Sequence, residues 1–349
     1  MTLSKCLFKR ECELLGDELK SKIVKKVLST RFSSGGNYIN YYSRLDKKPK
    51  YWHFLLLAPM QIIRFQSGFV RIFPRVVRAL NLNTETLPNE GKLPMISIAV
   101  ACVEKDLYLL PQVLFNCMNH TENPISHISV IVPSDCKIEE IAFSSIDVPI
   151  RFIIEDDIIP EAIRFKLRGR FKDRYGWVLQ QLLTITHVME SKEAGVLVIN
   201  ADTLILRPQI WLLENEVQIL MESYEYHKPY YDFLRRFRLD ESKFNASHIT
   251  HHMLMQPKYL RLIYSEFIHD DFTNLEYLVD QIIDFSDPME SSPVCVEFEL
   301  YALGMRSKFE SKVQTRKFGN ISVDKQTYIE SSAKNFHSLN SISLHSYLS

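Results

Sequence analysis

The chain has 349 residues, 46% of them hydrophobic and 24% charged, with a net charge of zero. That length supports a large core, one main domain plus an appendage, and the composition excludes a long disordered tail. Only 10 glycines, with no GxGxxG or GxxxxGK[ST], exclude a Gly-rich phosphate loop, and no nucleic-acid partner is expected.

The charge is unevenly spread. Residues 1–94 carry 17 Lys and Arg against 7 Asp and Glu, a net +10, which leaves −10 on the remainder. A basic arm on an acidic body calls for an anionic surface as the arm's partner. The six cysteines (Cys6, Cys12, Cys102, Cys117, Cys136, Cys295) form no CxxC pair, and several sit in apolar runs. They read as buried free thiols in a reducing, cytoplasmic compartment. The stretch 5–26 is too charged for a signal-peptide core.

Residues 1–50 read as a charged helical start and a polar loop. Residues 52–63 are apolar but fall short of the roughly 20 needed to cross a bilayer. Phe69, Ile72, Phe73, Val76 and Leu80 then recur at helical spacing, with Arg71, Arg75 and Arg78 on another face. Such a helix rests on anionic lipid through residues 52–80, or packs on the main domain with a solvated Arg stripe. A polar stretch ending before Pro94 divides this basic helical region, 1–94, from a second domain, 95–349.

The second domain opens as alternating strands and helices. Strands are expected over 96–103, 128–132 and 150–155, with a helix over 107–119, which gives a parallel sheet with right-handed crossovers. From Arg164 to Arg174 a basic residue occupies every second position. That run is either an anion-gathering loop or a solvated segment. A helix over 176–189 buries Val178, Leu182, Ile185 and Met189. Further helices are expected over 210–220, from Pro257 onward and from 294, and a strand over 247–255.

The centre of the chain is residues 195–208. Val196 to Ile199 is an unbroken apolar run, suited to a strand buried on both faces. It ends in Asn200-Ala201-Asp202. Ligands of open α/β sheets bind outside the carboxyl ends of the strands. An Asp there can hold a hard divalent cation, which in turn clamps a diphosphate.

Four stretches in order resemble one family: Gly176-Trp177-x-x-Gln180-Gln181, Asn200-Ala201-Asp202-Thr203, Thr250-His251-His252-Met253 and Glu297-Phe298-Glu299-Leu300-Tyr301. Together they look like a bacterial family of GT-A-type glycosyltransferase-like proteins found with capsule and lipopolysaccharide biosynthesis. The resemblance covers residue 93 to the end. It implies a GT-A-like, Rossmann-type α/β domain with a mainly parallel central sheet and a nucleotide-sugar donor. It also implies a glycan or glycolipid acceptor and a divalent metal, Mn or Mg.

Under that resemblance Asp202 is the metal ligand and Asn200 a ribose or metal contact, while Trp177, Gln180 and Gln181 border the donor. His345 resembles the C-terminal His that completes some such metal sites. Asn200 stands where the family has Asp, which weakens the metal or makes it dispensable. Thr184 stands where it has Lys, and Val296 where it has Ser.

Glu297 and Glu299 are candidate general bases for the acceptor hydroxyl. His251 and His252 are candidate acceptor or phosphate contacts, with His248 and His252 on one side of the expected strand. Each has a plainer reading: a turn Asp, a turn Asn, carboxylates at a helix N-terminus, core histidines, a core Trp. Sugar transfer is the leading expectation. A GT-A-fold binding or scaffolding protein without catalysis, at the membrane surface, is the alternative.

Overall fold

Ile96–Ala101 forms β1, and its side chains divide between two cores by parity. Ile96, Ile98 and Val100 enter one apolar cluster and Ala99 the other. That parity is what a strand covered on both faces requires. The computed structural model describes residues 91–136, 143, 146–223, 228–237, 239, 247–265, 275–286, 294, 297–317, 319–323 and 340–344. Expectations for residues 1–90 and for His345 lie outside the described residues.

In chain order β1 is followed by α1 (Leu110–Asn119), β2 (Ile125–Val132), β3 (Ile150–Ile154), α2 (Glu161–Phe171), α3 (Tyr175–Glu190), β4 (Val196–Ile199), β5 (Thr203–Ile205) and β6 (Gln218–Glu222). Then come α4 (Lys228–Arg236), β7 (His252–Met255), α5 (Pro257–Ser265), α6 (Leu275–Phe285), α7 (Phe298–Lys308), β8 (Val313–Lys317), β9 (Asn320–Val323) and β10 (Ser341–Leu344). The protein is α/β, and its five-stranded central sheet is mixed but mostly parallel, in the order β3-β2-β1-β4-β7. β3, β2, β1 and β4 run parallel, and β7 closes one edge antiparallel, with His252 opposite Ile199. β5, β10 and β9 form a second small sheet, and β6 pairs β8 in parallel.

This order creates a switch point. From β1 the chain moves outward to β2 and β3, then crosses back to place β4 on β1's other side. The carboxyl ends of β1 and β4 therefore lie side by side at the position where open α/β sheets receive ligands. On β4, Val196 and Val198 face one core, Leu197 and Ile199 the other.

The helix over 175–190 buries Val178, Leu182, Ile185 and Met189 as its spacing predicts. Three expectations are corrected. The basic run 164–174 is mostly helix α2, because Ile163, Leu167 and Phe171 recur every four residues and bury one side. Residues 210–220 are not a helix. The Asn123 side chain accepts from the Trp211 N–H at 2.9 Å, and positive φ at Asn215 and Glu216 reverses the chain into β6. The strand expected over 247–255 begins only at His252, since His251 sits at φ 63°. Among the described residues no helix is long and apolar enough to cross a membrane.

Candidate functional site

β4 carries the site. One residue past its end, the Asn200 N–H donates to the His251 carbonyl at 2.9 Å, so the ladder with the β7 segment continues to the mouth. The chain then turns, with the Thr203 N–H on the Asn200 carbonyl at 3.1 Å. On the far side the Leu344 N–H donates to the Asp202 carbonyl at 2.9 Å, and Thr203 Oγ1 lies 2.8 Å from Ser343 Oγ. Asp202 thus sits on a tight connection gripped by two sheets.

The Gln180 amide, from the second turn of α3, donates to Asn200 Oδ1 at 3.2 Å. Asn200 Nδ2 reaches His251 Nδ1 at 3.4 Å. His251 holds its position at a left-handed backbone that costs a side-chain-bearing residue about 1 kcal/mol. Such strain persists where surrounding structure fixes it and concentrates at working sites.

Asp202 is half-buried, and burial raises its carboxyl pKa. His251 opposes that shift, and the negative charge of Asp106 adds to it. Asp106 lies just beyond β1, across the switch point, and burial raises its carboxyl too, against Lys105. Burial pushes the Cys102 thiol up to about 12, helped by Asp106, Cys136 and Asp202.

Glu297 and Glu299 part company. Glu297 stands at the N-cap position of α7 without a side-chain capping bond, so capping is not its role. Its buried carboxyl lies 2.5 Å from Thr184 Oγ1, one turn of α3 beyond Gln180. Burial pushes its pKa up to about 8, with the Thr184 bond opposing. Glu299 has zero exposure and accepts from Tyr231 Oη at 2.8 Å, Ser247 Oγ at 2.7 Å and the His248 N–H, with His248 Nδ1 at 3.4 Å. These bonds hold its pKa below the usual carboxylate range despite burial. Glu299 ties the 247–251 turn to α7 and is sealed away from the crevice.

His252 is also fully buried. It lies edge-on to Trp211 at 5.1 Å, and burial brings its pKa down to about 3. It is a neutral core residue, unlike His251 beside Asn200 and Asp202. Gln181 is buried too, its amide on the Trp177 carbonyl at 3.4 Å. Trp177, half-buried in the first turn of α3, stacks on Tyr230 with centroids 5.5 Å apart, and the Arg174 guanidinium lies 5.2 Å from its ring centre.

The structure therefore gathers Asn200, Asp202, Gln180 and His251 at one mouth, with Glu297 reached through Thr184. The sequence reading missed Asp106 and Tyr230. Asp106 had one usable signal, its place just after the first strand. Among the described residues no group of three or more His, Cys, Asp or Glu side chains is arranged to hold a metal ion. Compared with known proteins, the chain matches no protein-family model and no curated protein.

Proposed function

We propose that the chain is a glycosyltransferase with a GT-A-like, Rossmann-type domain, moving a sugar from a nucleotide-sugar donor to a glycan or lipid-linked acceptor hydroxyl. The observation that carries this reading is Asp202 just past the end of β4 at the switch point, beside Asn200 held between Gln180 and His251. The ordered motifs of the sequence, which resemble a glycosyltransferase-like family found with capsule and lipopolysaccharide biosynthesis, support it.

The donor set suits a hard divalent cation, Mg or Mn. Such ions are commonly bound by one or two carboxylates, with substrate phosphates and water supplying the other ligands. Asp202 and Asp106 would be those carboxylates; burial is the main cause of Asp202's raised pKa, with Asp106 adding to it, and a cation would favour the ionised form. The cation would neutralise charge on the departing diphosphate. Asn200 adds no charge; its amide, oriented by Gln180, is suited to a ribose hydroxyl. Trp177 and Tyr230 offer an aromatic wall beside the same rim. Glu297 is the remaining candidate base, and with its pKa near 8 it works as a base only toward alkaline pH. The protein acts on the cytoplasmic side of a membrane, with residues 52–80 at the anionic surface.

A second reading is a binding or scaffolding protein that keeps the mouth and lacks turnover. It is favoured by the neutral Asn200, whose amide is engaged on both atoms. Calorimetry with UDP, GDP and CDP in the presence of manganese tests the first step. Binding of at least one, with donor hydrolysis that disappears in Asp202→Ala, supports the transferase. Binding with no turnover of any donor supports the scaffold. Absence of nucleotide binding sinks the transferase.

A further inference from the structure

Helix α2 has two unlike faces. Ile163, Arg164, Leu167 and Phe171 are buried, Arg164 through ion pairs with Glu155, Asp156 and Glu161. On the opposite side Ala162, Phe165 and Gly169 line up at i, i+3 and i+7, all exposed. Phe165 is 74% exposed, more than any other large hydrophobic residue among those described. A Cβ at Gly169 would meet nothing within 4 Å, so the apex is open along its length.

Cations flank that apolar apex. Lys166 lies on one side and Arg168 on the other, with exposed Lys172 and Arg174 in the next turn. Lys166 pairs with Asp280, and Arg168 with Glu161 at 2.8 Å. Exposed pairs of this kind are worth about 0–1 kcal/mol and exchange readily for other anions. Six cations and one acid, Asp173, occupy 164–174, inside a domain that is otherwise net acidic.

We propose that this outward face of α2 is an interfacial contact for an anionic lipid bilayer. Phe165 enters the boundary between headgroups and acyl chains, while Lys166, Arg168, Lys172 and Arg174 meet lipid phosphates. A soluble polyanion would use the cations but leave Phe165 in water, and that apex decides for lipid. The acids interspersed here keep the contact modest, so stable attachment takes a second signal, for which residues 1–94 carry a net +10. Both ends of α2 are tied to the carboxyl rim of the sheet: it follows β3 and leads through Lys172–Arg174 into α3. A lipid surface under α2 therefore lies alongside the crevice. Vesicle binding is measured without donor or acceptor, so the proposal stands or falls apart from the sugar-transfer reading.

The test is sedimentation of the full chain with phosphatidylcholine vesicles and with vesicles half phosphatidylglycerol, at low and high salt. Salt-sensitive binding to the anionic vesicles is expected. Phe165→Ser should weaken it about tenfold, equivalent to about 1.4 kcal/mol of the apolar transfer of one ring. Gly169→Leu, which lengthens the apolar apex, should strengthen it several-fold with a thermal midpoint no lower than wild type and no pelleting without vesicles, which separates the gain from apolar surface exposed by misfolding. Unchanged binding in both variants overturns the proposal. So does a Phe165→Ser loss that is just as large with dextran sulfate in place of vesicles, because a soluble polyanion has no apolar layer for the ring to enter. A Phe165→Ser variant with a lower thermal midpoint and wild-type vesicle binding also overturns it, because protein then covers the face.

Discussion

Glu297 and Glu299 are two residues apart, both buried, and pushed in opposite directions. Glu299 is surrounded by four donors that favour the ionised form, whereas Glu297 has Thr184, which is not enough to offset burial. Three oxygens crowd the Thr184 hydroxyl: the Gln180 and Gln181 carbonyls, each at 3.0 Å, and the Glu297 carboxyl. One proton cannot serve all three, and a protonated Glu297 supplies the second. The consequence for stability follows from linkage. Between the ordinary value of 4.5 and about 8 the unfolded chain has released the proton that the folded chain keeps. The folded state binds more protons there, so stability falls as pH rises, by up to about 1.4 kcal/mol per pH unit, and levels off above. Glu297→Gln preserves a bond to Thr184 and removes the slope. Urea denaturation below, within and above that window should show the variant's advantage growing with pH, then holding constant. Parallel curves for the two proteins would mean that Glu297 is ionised throughout.

At the scale of elements, legibility followed how loudly the apolar spacing spoke. β1, β4 and α3 were readable because their apolar positions alternate or recur without competition. In α2 the same signal, Ile163, Leu167 and Phe171, is interleaved with a cation at every second position, which imitates an extended solvated run. The 210–220 stretch looked helical because nothing local announces that Asn123, far back in the chain, fixes Trp211 and Leu212 through their backbone N–H groups. Glycines were equally mute about their surroundings. Gly304 of α7 sits where a Cβ would come within 2.7 Å of Ile263 Cγ2 on α5, both helices buried at that contact. Gly304→Ala should therefore destabilise by about 1–3 kcal/mol through overpacking. Gly169→Ala, in open space within a helix, should stabilise by about 0.5–1 kcal/mol. The two thermal midpoints, measured side by side, should move in opposite directions; a rise in both would mean that helix propensity alone governs them.

At the scale of the molecule, the mouth depends on strand order, which no stretch of sequence displays. Asp202 was readable as the end of a buried strand. Its neighbours were not, because Asp106 and His251 approach only once β4 lies between β1 and β7. That assembly brings Asp106 near enough to add to the raised pKa of Asp202, in a domain already carrying excess negative charge. A nucleoside diphosphate adds more of the same sign, so on its own it would be repelled. If the sugar-transfer reading is right, the cation is the condition of binding. Calorimetry should then show diphosphate affinity at least about tenfold higher with manganese than with EDTA, about 1.4 kcal/mol. Asp106→Asn removes half of the repulsion and half of the cation's anchorage together. It should tighten binding in EDTA, weaken it in manganese, and so compress the gap between the two. Acidification should act in the same sense, because protons compete with the cation for an Asp202 whose pKa is raised. Equal affinities with and without manganese, unmoved by Asp106→Asn, would separate the acidic mouth from any diphosphate.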